Sequence, residues 1–403
     1  TASSAPDPPK TSTSRPSPLA LELATLMETS PSGCLRVVDG DTTVFSDDAA
    51  VPVIGASAVK LFTASTALAV LGPDARFSTA VRARSVVDGT AGDLWLVGGG
   101  DPVLGTKPWA ATLPAIGRVF TSLETLADRV VAAGLRQVTG QVIGDESRYD
   151  AQRLVPTMPA RLVADAEVGP LSALTINDGF RSFGHPAIPF TDPPVDAASL
   201  FADLLRQRGV RVDGSASAGA APSGTAEIAS VSSPPVGELV HAMLRDSDNG
   251  TAELLVKELG RSVSGVGSSA AGVRAMRDHA ASLGVPLGGV TLADGSGLGT
   301  ADRLTCGALT AVLVADQAAL EPRLSIAGVD GTLRRRFAFA PGLVRAKTGS
   351  LDGVAALAGY ARTADGTSVA FAYVINGLND DASGRAFQDR LVAALVSPYP
   401  ETT

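Results

Sequence analysis

Three short polar motifs lie far apart on this chain, and any fold that unites them has to bridge the distance. Ser57-Ala58-Val59-Lys60 opens an apolar helical segment that stops at Gly72-Pro73. Ser247-Asp248-Asn249 makes a polar corner between the helical patterns VGELVHAMLRD and GTAELLVKELG, and Lys347-Thr348-Gly349 lies within a strand-like run, GLVRAKTGS. The first two motifs are 190 positions apart, too many for a loop inside a compact domain. A domain holding both is therefore discontinuous, and residues 76–235 read as its insert.

The texture on either side of that division differs. Residues 76–235 alternate short strands and turns (STAVRARSV, DLWLVGGGD, RQVTGQVIGDESRYD, LSALTINDGF) with helical stretches near TSLETLADRVVAAG and DAASLFADLLRQRG, a mixed α/β pattern. Residues 18–75 and 236–403 supply the discontinuous domain. CLRVVDG-DTTVF reads as two strands across an Asp-Gly-Asp turn, and GLVRAKTGS, GVAALAGYART and TSVAFAYVING read as three more. Paired together they predict a five-stranded antiparallel sheet flanked by helices, so the fold class is α/β (α+β) with a large mixed α/β insert. Residues 1–17, rich in Pro, Ser and Thr without apolar period, read as a disordered linker.

Lysine usage narrows the chemistry. The chain has five lysines against 28 arginines, and two of the five are Lys60 and Lys347. A lysine retained among arginines suits a task that guanidinium cannot perform, such as losing a proton near neutral pH. On a helix, Lys60 lies one turn beyond Ser57 on the same face, within reach of its hydroxyl. A serine hydroxyl needs a base to become a useful nucleophile, and neutral Lys60 is placed to be that base. Lys347, as a second cation nearby, is expected to lower the pKa of Lys60.

Composition excludes several classes. A net charge of −8 and a pI near 5.0 argue against nucleic acid as a partner. The only basic run, Arg334-Arg335-Arg336, reads as a solvated strand end rather than an anion site. No apolar run reaches the roughly 18–20 residues of a membrane span. The opening Thr followed by a linker is the pattern of an exported protein after removal of a signal or anchor. Cys34 and Cys306 are compatible with one disulfide or with two buried thiols. His185, His241 and His279 are scattered, so neither a metal site nor a cofactor is expected.

The segments GASAVKLFTA, RDSDNGTAELLVKELG, DGSGL, AGVDGTLRRR and AKTGSLDGVAALAGY, with GGGDPVL, GDESRYD and LSALTINDG in the insert, resemble class C low-molecular-mass penicillin-binding proteins, the D-alanyl-D-alanine carboxypeptidase/endopeptidase family. The resemblance covers nearly everything after the linker. It implies a transpeptidase/β-lactamase-like domain, an acyl-enzyme on Ser57, peptidoglycan stem peptides as substrates and β-lactams as inhibitors. Lys60 is the implied base, Ser247 relays a proton to the leaving amine, and Asn249 orients Lys60 and holds the acyl side. Lys347, Thr348 and Ser350 attract the substrate's terminal carboxylate. Gly349 permits close approach of the substrate to the sheet edge, and the N–H groups of Ser57 and Ser350 form the oxyanion hole. The family's side-chain subsite maps onto Asp145 and Asp352. Thr300 stands where an arginine is usual, and Arg303 is a candidate substitute. A β-lactamase or esterase on the same framework, and a catalytically idle wall-binding protein, are the alternatives to a carboxypeptidase; the balance with endopeptidase action stays open.

Overall fold

The structure is a computed structural model and describes residues 17–113, 119–182 and 187–397. The expected linker therefore lies outside the described residues except for Ser17, whose hydroxyl caps the helix Pro18–Glu28.

Alternating burial builds the central sheet. Its order is Ser325–Ile326, Val344–Leu351, Val354–Arg362, Ser368–Asn376, Gly33–Asp39 and Thr42–Asp47, every pair antiparallel. The five expected strands are present, and the two-residue strand Ser325–Ile326 adds a sixth. Ala370, Ala372 and Val374 turn to one face, while Val369, Phe371, Tyr373 and Ile375 turn to the other, and both sets are buried. A strand buried on both faces needs a layer on each side. The helices Pro18–Glu28 and Asp381–Val396 cover one face; a helical layer around Lys60–Val70 covers the other.

That central helix explains the absence of further charges after Lys60 in KLFTASTALAV. Every residue from Lys60 to Leu68 is buried, as expected of a helix enclosed on all sides. Its neighbours are Val236–Asp246, Asn249–Ser264, Ser269–Ser282 and Cys306–Ala315. A disulfide joins Cys34 in the sheet to Cys306 at the start of the last of these, with Cα atoms 5.8 Å apart.

The insert has a hydrophobic core of its own, running from Val81 to Val231. Its main sheet orders Ala216–Ala218, Val142–Asp145, Leu94–Val97, Ser78–Ala83 and Ala226–Ser232, with parallel and antiparallel pairs mixed. The helices Leu123–Ala132 and Pro193–Arg206 pack on it. A smaller cluster joins Tyr149, Val155, Met158 and Leu171 of the insert to Leu254 and Leu298, so the insert is seated beside the residues that follow Asn249.

Candidate active site

Ser57 belongs to a 3₁₀ turn, Ala56–Val59, that runs into the helix Lys60–Val70. Ala56 just before it is left-handed, with φ 45°, a conformation that costs a residue with a Cβ free energy on the order of 1 kcal/mol or more. Tight packing holds this turn in place: a Cβ on Gly297 would come within 1.9 Å of the Ala56 carbonyl oxygen. Gly349 serves the same turn. A Cβ there would lie 2.9 Å from the Gly55 oxygen and 3.1 Å from the Ser57 nitrogen, so its missing side chain admits the backbone that carries Ser57.

Lys60 is fully buried, and its Nζ has three partners: Ser57 Oγ at 3.0 Å, Asn249 Oδ1 at 2.7 Å and the Ser296 carbonyl at 2.7 Å. Asn249 Nδ2 donates to the Glu167 carbonyl at 2.8 Å, which fixes the amide so that its oxygen faces Lys60. Burial lowers the pKa of Lys60 to about 8, against the opposing pull of Glu253, Asp294, Asp248 and Glu167.

Lys60 and Lys347 are close enough to repel each other as cations. Lys347 is also fully buried, and burial first, then the charge of Lys60, pushes it well below its ordinary value. The carboxylates grouped behind Lys60 oppose its loss of charge, whereas Asp246 alone does so for Lys347. Lys347 Nζ donates to Ser247 Oγ at 2.9 Å and to the Thr348 carbonyl at 2.7 Å.

Ser247 reaches Lys347 because of its backbone. It ends the helix Val236–Asp246 at φ 64°, and Asp248 then caps the next helix by accepting the Thr251 N–H at 3.0 Å. Two opposed helix ends thus meet in a two-residue corner that presents Ser247 and Asn249 together. A cleft of about 560 Å³ adjoins them, with Trp109, Glu167, Asp178 and Thr332 in its walls. Thr348, Gly349 and Ser350 line a separate recess of about 320 Å³.

The carboxylates behind Lys60 were not singled out by the sequence reading. Glu253 has no exposed surface, and its Oε1 accepts the N–H groups of Gly295 and Ser296 at 3.0 and 2.8 Å. Asp294 accepts from Gly297 and Gly299, and Asp302 from Ala293. Burial raises all three pKa values, Glu253 and Asp302 to about 8. The available signal was spacing: Glu253 follows Asn249 by one helical turn, and Asp294 opens the DGSGL segment.

Ser57, Lys60, Ser247, Asn249 and Lys347 are thus brought together, with Thr348, Gly349 and Ser350 alongside. The polar contacts of Asp145 lie within the insert: its buried carboxylate accepts the N–H groups of Ser147 at 2.8 Å and Ala221 at 2.7 Å. Asp352 is exposed in the turn between Val344–Leu351 and Val354–Arg362. Arg303 folds back on its own loop, donating to the carbonyls of Thr300 and Asp302 at 2.7 and 2.8 Å.

Known proteins resemble this chain in sequence and in fold. A D-alanyl-D-alanine carboxypeptidase of an Actinomadura species is 30% identical over 87% of this chain and 78% of its own length. Carboxypeptidase DacB of Mycolicibacterium smegmatis is 32% identical over 94% of this chain and 84% of its own. The crystal structure of penicillin binding protein 4 from Haemophilus influenzae superposes with a TM-score of 0.79 at 21% identity, covering 92% of this chain and 97% of that one, and so shares the fold. The model of the D-Ala-D-Ala carboxypeptidase 3 family matches residues 22–184 and 185–397. This chain belongs to the D-Ala-D-Ala carboxypeptidase 3 (S13) family.

Proposed function

We propose that this chain is a serine D-Ala-D-Ala carboxypeptidase that acts on peptidoglycan stem peptides through an acyl-enzyme on Ser57 and is inhibited by β-lactams. One observation carries the reading: of the three oxygens around Lys60 Nζ, only Ser57 Oγ bears a proton. A neutral amine has two N–H bonds and one lone pair. The Asn249 amide oxygen and the Ser296 carbonyl can only accept, so they take the two N–H bonds and the lone pair is left facing the Ser57 hydroxyl.

The mechanism follows from that arrangement. Lys60 takes the serine proton as Oγ attacks the penultimate D-Ala carbonyl, and backbone N–H groups beside Ser57 and Ser350 stabilise the oxyanion. Losing one such donor costs about 2.7–4 kcal/mol. Ser247, hydrogen-bonded to Lys347, passes a proton to the leaving amine, and water then hydrolyses the ester. Lys347, Thr348 and Ser350 take the substrate's terminal carboxylate, whose charge favours the protonated form of Lys347. The substrate lies outside the cytoplasm, which supports an exported location; among the described residues no helix is long and apolar enough to cross a membrane.

Residues 76–235 act in this reading as a lobe set on the catalytic domain that supplies none of the three motifs of the acylation chemistry, its Glu167 carbonyl serving to hold the Asn249 amide. The loss of an arginine at position 300, the inward turn of Arg303 and the added charge of Asp352 favour a stem-peptide side chain that presents an amine without a carboxylate, with Asp145 contributing a second negative charge. Paired amidated and non-amidated stem peptides test that point, and equal kcat/KM would remove it. The main reading is tested by intact mass after benzylpenicillin. One adduct is expected, with none in Ser57→Ala, alongside release of D-Ala from a pentapeptide; an adduct on the variant would overturn the assignment.

A further inference from the structure

The basic run Arg334-Arg335-Arg336 does not end a strand. It follows the 3₁₀ turn Gly331–Leu333, and Arg335 and Arg336 line the recess of about 320 Å³ that Thr348, Gly349 and Ser350 also line. Arg385, from the helix Asp381–Val396, joins them there. Against these three guanidinium groups the recess has one carboxylate in its wall, Asp381, on a protein whose net charge is −8.

The three arginines are not equivalent. Arg336 is held in place: it donates to Asp389 at 3.0 Å and to Gln388 at 3.2 Å, while buried Gln388 donates to the Ala356 carbonyl at 3.1 Å. Arg335 and Arg385 are exposed and have no ion-pair partner among the described residues. Carboxypeptidase action gives them nothing to do. The leaving D-Ala has a single carboxylate, and Lys347, Thr348 and Ser350 already account for it.

We propose that this recess is a subsite for an anionic leaving strand: a second stem peptide, joined to the first through an amide at D-Ala and carrying free carboxylates that pair with Arg335 and Arg385. The proposal rests on the acyl-enzyme reading above and adds the group on the departing side. Ser57 Oγ bonds to the D-Ala carbonyl carbon, the amide C–N bond breaks, and the departing amine nitrogen receives the serine's proton through Lys60 and Ser247. One water later splits the ester and restores the hydroxyl. The recess has the right charge because guanidinium pairs with carboxylate in a two-pronged geometry. It has the right place because its wall is the same Thr348–Ser350 segment that holds the leaving group's first carboxylate.

The test uses the full chain and three substrates: a pentapeptide ending in D-Ala-D-Ala, a cross-linked dimer whose departing strand has free carboxylates, and the same dimer with those carboxylates amidated. Arg335→Gln/Arg385→Gln should lower kcat/KM on the free-carboxylate dimer about tenfold or more and leave the pentapeptide within about twofold. Amidating the dimer should cost the unaltered protein a similar factor, and Arg385→Glu should reverse the preference between the two dimers. The subsite is overturned if the double variant slows all three substrates equally, if the two dimers are cleaved alike, or if neither is cleaved while the pentapeptide is. Penicillin labelling of Ser57 and pentapeptide turnover report separately on the acyl-enzyme, so its failure is distinguishable from failure of the subsite.

Discussion

Ser296 links Lys60 to Glu253: its carbonyl accepts Lys60 Nζ at 2.7 Å, and its N–H donates to Glu253 Oε1 at 2.8 Å. The proposed base and a buried carboxylate are therefore held by one residue, and the proton affinity of each depends on the other. Burial brings Lys60 down to about 8 while Glu253 pulls it back up.

The first consequence concerns pH. In the proposed mechanism the neutral form of Lys60 is the reactive one, and it is the minor form below a pKa of about 8. The second-order rate of acylation of Ser57 by a β-lactam should rise with pH to a plateau above this value, falling about tenfold per unit on the acid side. Stopped-flow acylation across pH 5–10 checks this. Lys60→Arg should be inactive throughout, because guanidinium keeps its proton.

Glu253→Gln removes a negative charge that favours the protonated form of Lys60. Glu253 itself carries that charge only around and above its pKa of about 8, so the variant's limb should reach its plateau at lower pH than the parent's while the two profiles converge at the acid end. An unmoved limb with a uniformly lower rate would mean that Glu253 acts only by supporting the loop at Gly295 and Ser296.

Ser247 can be tested without disturbing its corner. Its φ of 64° suits glycine, so Ser247→Gly removes the hydroxyl and relieves the backbone. Stem-peptide hydrolysis should fall by roughly 10²–10⁴-fold, the range for loss of a positioned proton-transfer group, with the melting temperature unchanged or raised. Retained turnover would assign proton delivery to Lys347 alone.

The Cys34–Cys306 bridge closes a loop spanning 272 positions. Replacing both with serine should destabilise the protein by about 2–5 kcal/mol, read as a lower urea midpoint. Penicillin labelling of the folded fraction should persist, since neither sulfur touches the site.

Much of this was legible in the chain because the relevant signals are local. Ser57 and Lys60 share a helix face by their spacing, and Ser247 and Asn249 stand out as polar residues between two amphipathic patterns. The strands from Val344 to Asn376 announce themselves as apolar runs, the last two joined at the turn Asp365-Gly366. What stayed hidden depends on distant packing. The sixth strand, Ser325–Ile326, is too short to carry a pattern of its own. Cys34 and Cys306 could not be paired without knowing that the sheet abuts the helix Cys306–Ala315. The opposition of Glu253 and Asp294 to the loss of charge at Lys60 was equally hidden, because their burial beside it is a property of the assembled fold. The role of Arg335 was unreadable for the same reason, since its neighbour Arg385 lies 50 positions further along.

The edge strand Ser325–Ile326 pairs only with Arg345 and Ala346. From Lys347 to Leu351 no strand pairs with it on that side among the described residues. An extended backbone laid along it would be gripped through peptide groups that every peptide possesses. This ledge is blind to sequence: it sets the direction and depth at which a chain enters but cannot tell one stem peptide from another. Discrimination then falls to the cleft beside Ser247 and Asn249 and to the recess lined by Thr348–Ser350, and altering their walls should change which peptides are chosen while the chemistry proposed at Ser57 stays the same.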